Sequence, residues 1–406
     1  MTGTSPSRVA VTALFVMHAV VLGAWTPVIP VLKRELGLST GELGLALAAE
    51  PVGAGMVMIA TGALVQRFGS RRVLRVAAVP YAISTALVGL VPDLVWLSAA
   101  LLAWGATQGV MNVSMNAQGV ALEERLGRPV LASLHGCWSL GAFGGAAAAS
   151  WCVGRGVPPG VLLPGVAVLA LVVIGVAGTS FVRAPGGAGA AGTPTRRRFV
   201  VRPDARLLGL AAVAFACLLC EGAVLTWSGV FLTDEVGASD SLAGLGYAAY
   251  ALSMAGSRLV GDRTIARWGG ARVLPLAAVV GAGAVGVALV QPGVGTALTG
   301  FALLGVGLAC VMPVMTRAAA RVAPDAVGPA VALVSSAGWV GVVAGPPLLG
   351  GIAAATTLTT ALWVLVALPL LIAVGAAALV GSGITRAHEP RADDPTPELE
   401  GANARD

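Results

Sequence analysis

Apolar residues in this chain gather in stretches of about 20, long enough to cross a bilayer as helices, while the short segments between them hold nearly all the charge. The pattern predicts spans over 9–32, 42–65, 73–91, 94–121, 130–153, 160–182, 207–232, 241–262, 273–291, 294–320, 329–354 and 360–383. That is an all-α membrane protein with 12 transmembrane helices. Residues 183–206 interrupt the series with Ala-Pro-Gly-Gly-Ala-Gly-Ala-Ala-Gly-Thr-Pro-Thr and then Arg196, Arg197 and Arg198, which reads as a flexible cytoplasmic linker. The last segment, 384–406, is Pro-rich, charged and without periodicity, as expected of a disordered cytoplasmic tail. The expected domains are thus a six-helix bundle over 1–182 and a second over 207–383.

The two bundles repeat one another at an offset of about 200 residues. Arg67-Phe68-Gly69-Ser70-Arg71-Arg72-Val73-Leu74 aligns with Arg267-Trp268-Gly269-Gly270-Ala271-Arg272-Val273-Leu274, and Ser39, Gly44, Leu45, Ala48 and Ala49 align with Ser239, Gly244, Leu245, Ala248 and Ala249. With one inserted residue, Trp138 and Gly144 meet Trp339 and Gly345. Six spans is an even number, so both halves enter the membrane in the same direction. Parallel six-helix pseudo-repeats are a transporter plan with the substrate site near the midplane between them. A channel or a membrane enzyme would not need this plan.

Composition agrees with the pattern: 57% of residues are hydrophobic, 11% are charged and the mean hydropathy is +0.87. The 56 glycines sit mostly inside the spans, where pairs such as Gly141/Gly145 and Gly341/Gly345 let helices approach closely. The net charge of +6 forms no aromatic-laced basic patch, so nucleic acid is not implied. It marks sidedness instead. With a cytoplasmic N-terminus, only Lys33, Arg34 and Arg155 of the 25 basic residues fall outside, which is the positive-inside bias of a multi-pass inner (plasma) membrane protein with both termini cytoplasmic. The five cysteines lie in apolar spans and form no disulfide framework. Cys217 and Cys220 read as small buried residues; no metal site and no cofactor are expected.

The loop after the second span, Gly62-Ala63-Leu64-Val65-Gln66-Arg67-Phe68-Gly69-Ser70-Arg71, resembles the signature of the major facilitator superfamily, and a weaker copy lies at 262–274. The resemblance covers essentially the whole chain. It implies that family's fold and secondary transport by alternating access. Two departures stand out: the family's Asp is Gln66 here and Ala266 in the second copy, and one family Arg is Ser70. That Asp helps lock the cytoplasmic side in relatives, so this chain must close differently. Arg67, Arg71, Arg258, Asp262 and Arg267 remain as gating candidates, or as ordinary cytoplasmic charge. Asn112-Val113-Ser114-Met115-Asn116-Ala117-Gln118-Gly119 and His135-Gly136-Cys137-Trp138-Ser139-Leu140-Gly141 resemble the MosC-like branch near the fucose permeases, which implies a sugar-, polyol- or aminocyclitol-like substrate. The drug-antiporter group usually has a Pro in its fifth-span glycine signature and an Arg three residues before Gln-Gly. Here the Pro is absent and Gly105 precedes Gln108-Gly109.

Polar groups at membrane depth are costly and usually face the bundle interior. Gln108, Asn112 and Asn116 recur at i+4, one helical stripe about 12 Å long, and neutral amides suit uncharged hydroxyl-rich solutes. His135 is expected at a similar depth. The alternative for all four is interhelical polar glue. Trp25, Trp138, Trp227 and Trp339 offer rings that stack on a solute's apolar face or anchor the protein at the interface. Glu221, then Glu50 and His18, are the candidates for proton coupling, since a carboxylate away from water readily trades its charge for a proton; each is otherwise a hydrogen-bonded packing residue. The expected function is proton-coupled transport of a small polar organic solute by a monomer in the lipid bilayer. A proton-driven efflux pump for drug-like compounds is the competing reading, and a non-transporting receptor or scaffold a remote one.

Overall fold

The structure, a computed structural model, describes residues 5–128, 130–183 and 204–381. Arg196–Arg198 and the tail over 384–406 lie outside the described residues, as does nearly all of the expected linker. The first half comprises α1 (Pro6–Trp25), α2 (Val28–Glu35), α3 (Thr40–Phe68), α4 (Ser70–Val88), α5 (Leu94–Leu126), α6 (Leu131–Val153) and α7 (Pro159–Ala177). The second comprises α8 (Ala205–Val230), prolonged by a π turn over Phe231–Glu235, then α9 (Leu245–Trp268), α10 (Gly270–Val290), α11 (Val294–Leu308), α12 (Val311–Val322), α13 (Val327–Ala355), α14 (Leu358–Leu362) and α15 (Val364–Gly381). All regular elements among the described residues are helical.

Local chemistry sets the helix ends. Ser39 and Glu42 form a reciprocal capping box that starts α3. Asp93 accepts from Val95 N and Trp96 N to start α5, and Asp204 accepts from Leu207 N to start α8. The repeated signature places Gly69 and Gly269 at the α3–α4 and α9–α10 joints with φ of 80° and 81°, a region that side-chain-bearing residues avoid. This is why both copies keep that glycine.

Three expected spans are broken, one at Trp363 between α14 and α15 and two at prolines. Pro27 has no N–H for the Gly23 carbonyl, so Thr26 N (3.1 Å) and Thr26 Oγ1 (2.9 Å) donate to it where α1 gives way to α2. Likewise Pro313 cannot donate to the Ala309 carbonyl, which accepts from Arg258 Nε at 3.3 Å at the α11–α12 break. Helix α3 bends by 46° between Thr40–Met58 and Ala60–Phe68. Among the described residues, eight helical rods qualify as membrane spans by length and apolarity, or nine if bent α3 counts as one, against the twelve expected. The helices α4, α6 and α9 fall below that mark because α4 carries Arg71, Arg72 and Arg75, α9 carries Arg258, Arg263 and Arg267, and α6 is rich in Gly, Ala and Ser.

The sequence repeat reappears in the packing. In the first half α3 packs on α5, α1 on α6, and α4 on α5 and α7. In the second half α9 packs on α11, α8 on α13, and α10 on α11 and α15. Glycines make these contacts backbone to backbone. A Cβ on Gly141 or Gly145 would lie 2.5 or 2.3 Å from the Val16 or Val20 carbonyl oxygen, and one on Gly341 would lie 2.3 Å from the Phe215 carbonyl oxygen. The halves meet where α3 crosses α13 and α6 crosses α9, with Gly44 against Gly350 at the first crossing.

Candidate solute-binding cavity

Between these two crossings lies a cavity of about 230 Å³. Its first-half wall carries most of the polar groups, set among Leu22, Ala54 and Met58. His18 comes from α1, Glu50 from α3, Gln108 and Asn112 from α5 and Trp138 from α6. The second-half wall is mostly apolar, with Leu218, Leu225, Val342 and Tyr247, and it places Glu221 and Trp339 among them. Expected spans 1, 4 and 7, as α1, α5 and α8, line the cavity, and α3, α6, α9 and α13 take the remaining places, because those four helices form the two crossings between the halves.

The polar wall is tightly built. Indole N–H groups only donate, so the contact from Trp138 Nε1 to His18 Nδ1 at 3.2 Å makes Nδ1 the acceptor and leaves the hydrogen on Nε2. Buried Nε2 closes no hydrogen bond. Tyr81 stacks on the other side of the imidazole, with ring centroids 5.9 Å apart. The buried Gln108 Oε1 and Trp339 Nε1 also have no hydrogen-bond partner, so an acceptor and a donor are left for whatever enters. Uncompensated buried polar atoms are expensive.

Glu50 reaches this wall because α3 and α5 touch directly. A Cβ on Gly105 would lie 1.9 Å from the Glu50 carbonyl oxygen, and one on Gly53 would lie 2.1 Å from the Leu102 carbonyl oxygen. The position where the drug-antiporter group bears an Arg therefore has no room here for any side chain.

Asn116 and His135 stand outside the lining. Asn116 Nδ2 donates to Asn112 Oδ1 (2.8 Å) and to the Asn112 carbonyl (2.9 Å), and its Oδ1 lies 3.2 Å from His135 Nε2. The amide stripe thus divides into a cavity-facing pair, Gln108 and Asn112, and a bonded relay from Asn112 through Asn116 to His135. Trp25 is buried edge-on against Trp104 with centroids 5.8 Å apart, and Trp227 is fully buried in helix packing. Neither lines the cavity.

Among the gating candidates, Arg71 Nη2 donates to the Thr179 carbonyl at 2.9 Å and Arg258 closes the α11–α12 break; both bonds stay within one half. Arg67 lies over its neighbour Phe68, and Arg267 is exposed. The side chain of Asp262 lies outside the described residues. Salt bridges between the halves, among the described residues, occur at the arginine-poor end: Lys33 to Asp234 at 2.5 Å and Arg34 to Asp240 at 2.7 Å. There Gly244 N also donates to Ser150 Oγ at 3.0 Å, across the α6–α9 crossing.

Two residues escaped sequence reasoning. Tyr247 lines the cavity, and its signal was only that two of the chain's three tyrosines, Tyr247 and Tyr250, lie in this apolar stretch. Gln118 is fully buried; its amide donates to Ser70 Oγ (2.8 Å) and the Val182 carbonyl (3.0 Å) and accepts from Val182 N (2.9 Å). It sits beside Ser70, where the family signature has an Arg, so that departure leaves room for an amide clamp.

Two repeated helical bundles enclosing a cavity with polar groups on one wall define a multi-pass membrane transporter of the secondary class. The chain belongs to the major facilitator superfamily, whose family model matches residues 11–235 and 210–404. It is 31% identical over 92% of its length to an uncharacterised MFS-type transporter of Yersinia pestis, covering 95% of that protein. It is 33% identical over 90% to the uncharacterised transporter y4wD of Sinorhizobium fredii, covering 96% of it, and 30% identical over 90% to the membrane protein MosC of Rhizobium meliloti, covering 88% of it. Among solved structures it is similar in fold to the nucleoside transporter NupG (D323A mutant; TM-score 0.76, 12% identity, 91% of this chain and 99% of that one). A bacterial homologue of the human lysosomal transporter Spinster, in an inward-facing and occupied conformation, is also similar (TM-score 0.67, 15% identity, 93% and 97%).

Proposed function

We propose that this protein moves a small polar organic solute, of sugar, polyol or aminocyclitol type, by alternating access through the cavity between its halves. The observation that carries this reading is the hydrogen-bonding wall of His18, Gln108 and Asn112, which faces the rings of Trp339 and Tyr247 across about 230 Å³. Hydroxyl groups of a solute would meet the amides, and its apolar face would meet the rings. Residues 1–182 and 207–383 act as the two rocking bodies. The positive-inside bias puts the arginine-rich end in the cytoplasm of a plasma-membrane protein. The ion pairs Lys33–Asp234 and Arg34–Asp240 then hold the outer end shut, and gating at the inner end falls to Arg67, Arg71, Arg258, Asp262 and Arg267.

Glu221, with Glu50 and His18, is proposed to couple transport to protons. Glu50 and Glu221 face the same cavity from opposite halves, so solute and proton can compete or cooperate within one space. In proteoliposomes, Glu221→Gln is expected to abolish accumulation driven by a pH gradient while preserving solute exchange. Wild-type transport indifferent to the gradient would remove the coupling role and leave the solute site standing.

The apolar wall of Leu218, Leu225 and Val342, together with two carboxylates, favours a second reading, export of an amphipathic compound. Thermal shifts of the purified protein with sugars, inositols, amino acids and drugs separate the two. Stabilisation by drugs alone would select the second.

A further inference from the structure

A second cavity, of about 590 Å³, opens at the arginine-rich end of the first half, away from the solute site. Three arginines line it: Arg71 at the start of α4, Arg125 in the last turn of α5, and Arg183 beyond α7. Hydroxyls of Ser7, Thr179 and Ser180 accompany them, and Glu124 is the acid in the lining.

Two of the guanidinium groups are already oriented. Arg71 Nη2 donates to the Thr179 carbonyl at 2.9 Å and Arg125 Nη1 to Ser7 Oγ at 3.1 Å. Each bond uses one of the five N–H donors of its guanidinium. The strap bearing Thr179 to Arg183 is itself held, because the buried Gln118 amide grips both the N–H and the carbonyl of Val182. None of the three lines the central cavity, and the repeat does not account for them, since Arg71 aligns with Ala271.

We propose that this pocket binds an anionic phosphate group, delivered by a lipid headgroup or as free phosphate. Oriented guanidinium forks match phosphate oxygens, the hydroxyls supply further donors, and three positive charges outweigh Glu124. The pocket lies at the end of the protein where the excess of basic residues meets the membrane surface, so a headgroup can reach it. Its strap ends at Arg183, at the sequence boundary of the segment joining the two halves.

The test uses the full-length protein in a neutral detergent at fixed ionic strength. Thermal unfolding is followed during titration with dihexanoyl phosphatidylglycerol, with dihexanoyl phosphatidylcholine, or with inorganic phosphate against chloride. Wild type is expected to be stabilised saturably by phosphatidylglycerol if the source is lipid, or by inorganic phosphate if it is free phosphate. In either case Arg125→Gln and Arg183→Gln each weaken the response roughly tenfold, whereas Arg128→Gln, at the same end but outside the lining, does not. Arg183→Gln guards against a folding defect, because its side chain is exposed; its unfolding temperature without added anion should match wild type. Equal responses from wild type and both pocket variants, no anion response in wild type, or an equal loss in Arg128→Gln would overturn the proposal.

Discussion

At the scale of single residues, the cavity depends as much on a missing side chain as on those present. Gly105 lets α5 lie against the Glu50 backbone, with space for no Cβ. Gly105→Ala is therefore expected to lower stability by about 1–3 kcal/mol, read as a lower unfolding temperature. Gly144→Ala, where a Cβ would meet nothing within 4 Å, should leave it nearly unchanged. Asn112 and Asn116 separate in the same way. Asn112→Ala removes a group that faces the cavity and should weaken solute binding by about 1–3 kcal/mol, with insertion into the membrane unchanged. Asn116→Ala removes a group that orients Asn112 and His135, so its effect should be smaller and should vanish in an Asn112→Ala background. Equal, additive losses would place Asn116 in direct contact with the solute.

At the scale of elements, the α11–α12 break joins a proline to an arginine from another helix. Pro313 leaves the Ala309 carbonyl without its helical partner, and Arg258 supplies one from α9. A bond to a charged donor at a buried carbonyl contributes about 1.5–3 kcal/mol. Arg258→Ala should cost about that much in thermal stability. In a Pro313→Ala background the backbone can donate to Ala309 itself, and the same substitution should cost much less. A cycle showing no coupling between the two positions would mean that the guanidinium acts elsewhere.

At the scale of the whole molecule, two ion pairs join the halves at the arginine-poor end. Lys33 and Asp234 have side-chain exposures of 16% and 29%, while Arg34 and Asp240 have 45% and 38%. Partly exposed pairs of this kind contribute up to about 1 kcal/mol each, enough to shift a two-state population roughly fivefold. Asp234→Lys should open the arginine-poor end in a larger fraction of molecules, read as a longer distance between spin labels placed on α2 and on the turn after α8. Adding Lys33→Asp should restore the wild-type distribution. An unchanged distance distribution in Asp234→Lys would show that the α3–α13 and α6–α9 crossings alone hold that end.

Much of this was legible in the sequence. Apolar length gave the helices, because a bilayer demands backbone bonds satisfied within each span. The 200-residue repeat led to the paired packing, since like sequences bury like faces. Intramembrane polarity singled out His18, Glu50, Gln108, Asn112 and Glu221, because polar groups are expensive in lipid. Tertiary structure alone decided the rest. Gln108 and Asn112 reach the cavity while Asn116 turns to His135, and Trp138 and Trp339 line it while Trp25 and Trp227 are buried elsewhere. A residue's type and its depth in the membrane follow from its position in the chain. Which face of its helix meets the other half depends on how α3, α6, α9 and α13 cross, and that is settled by contacts between residues far apart in the chain.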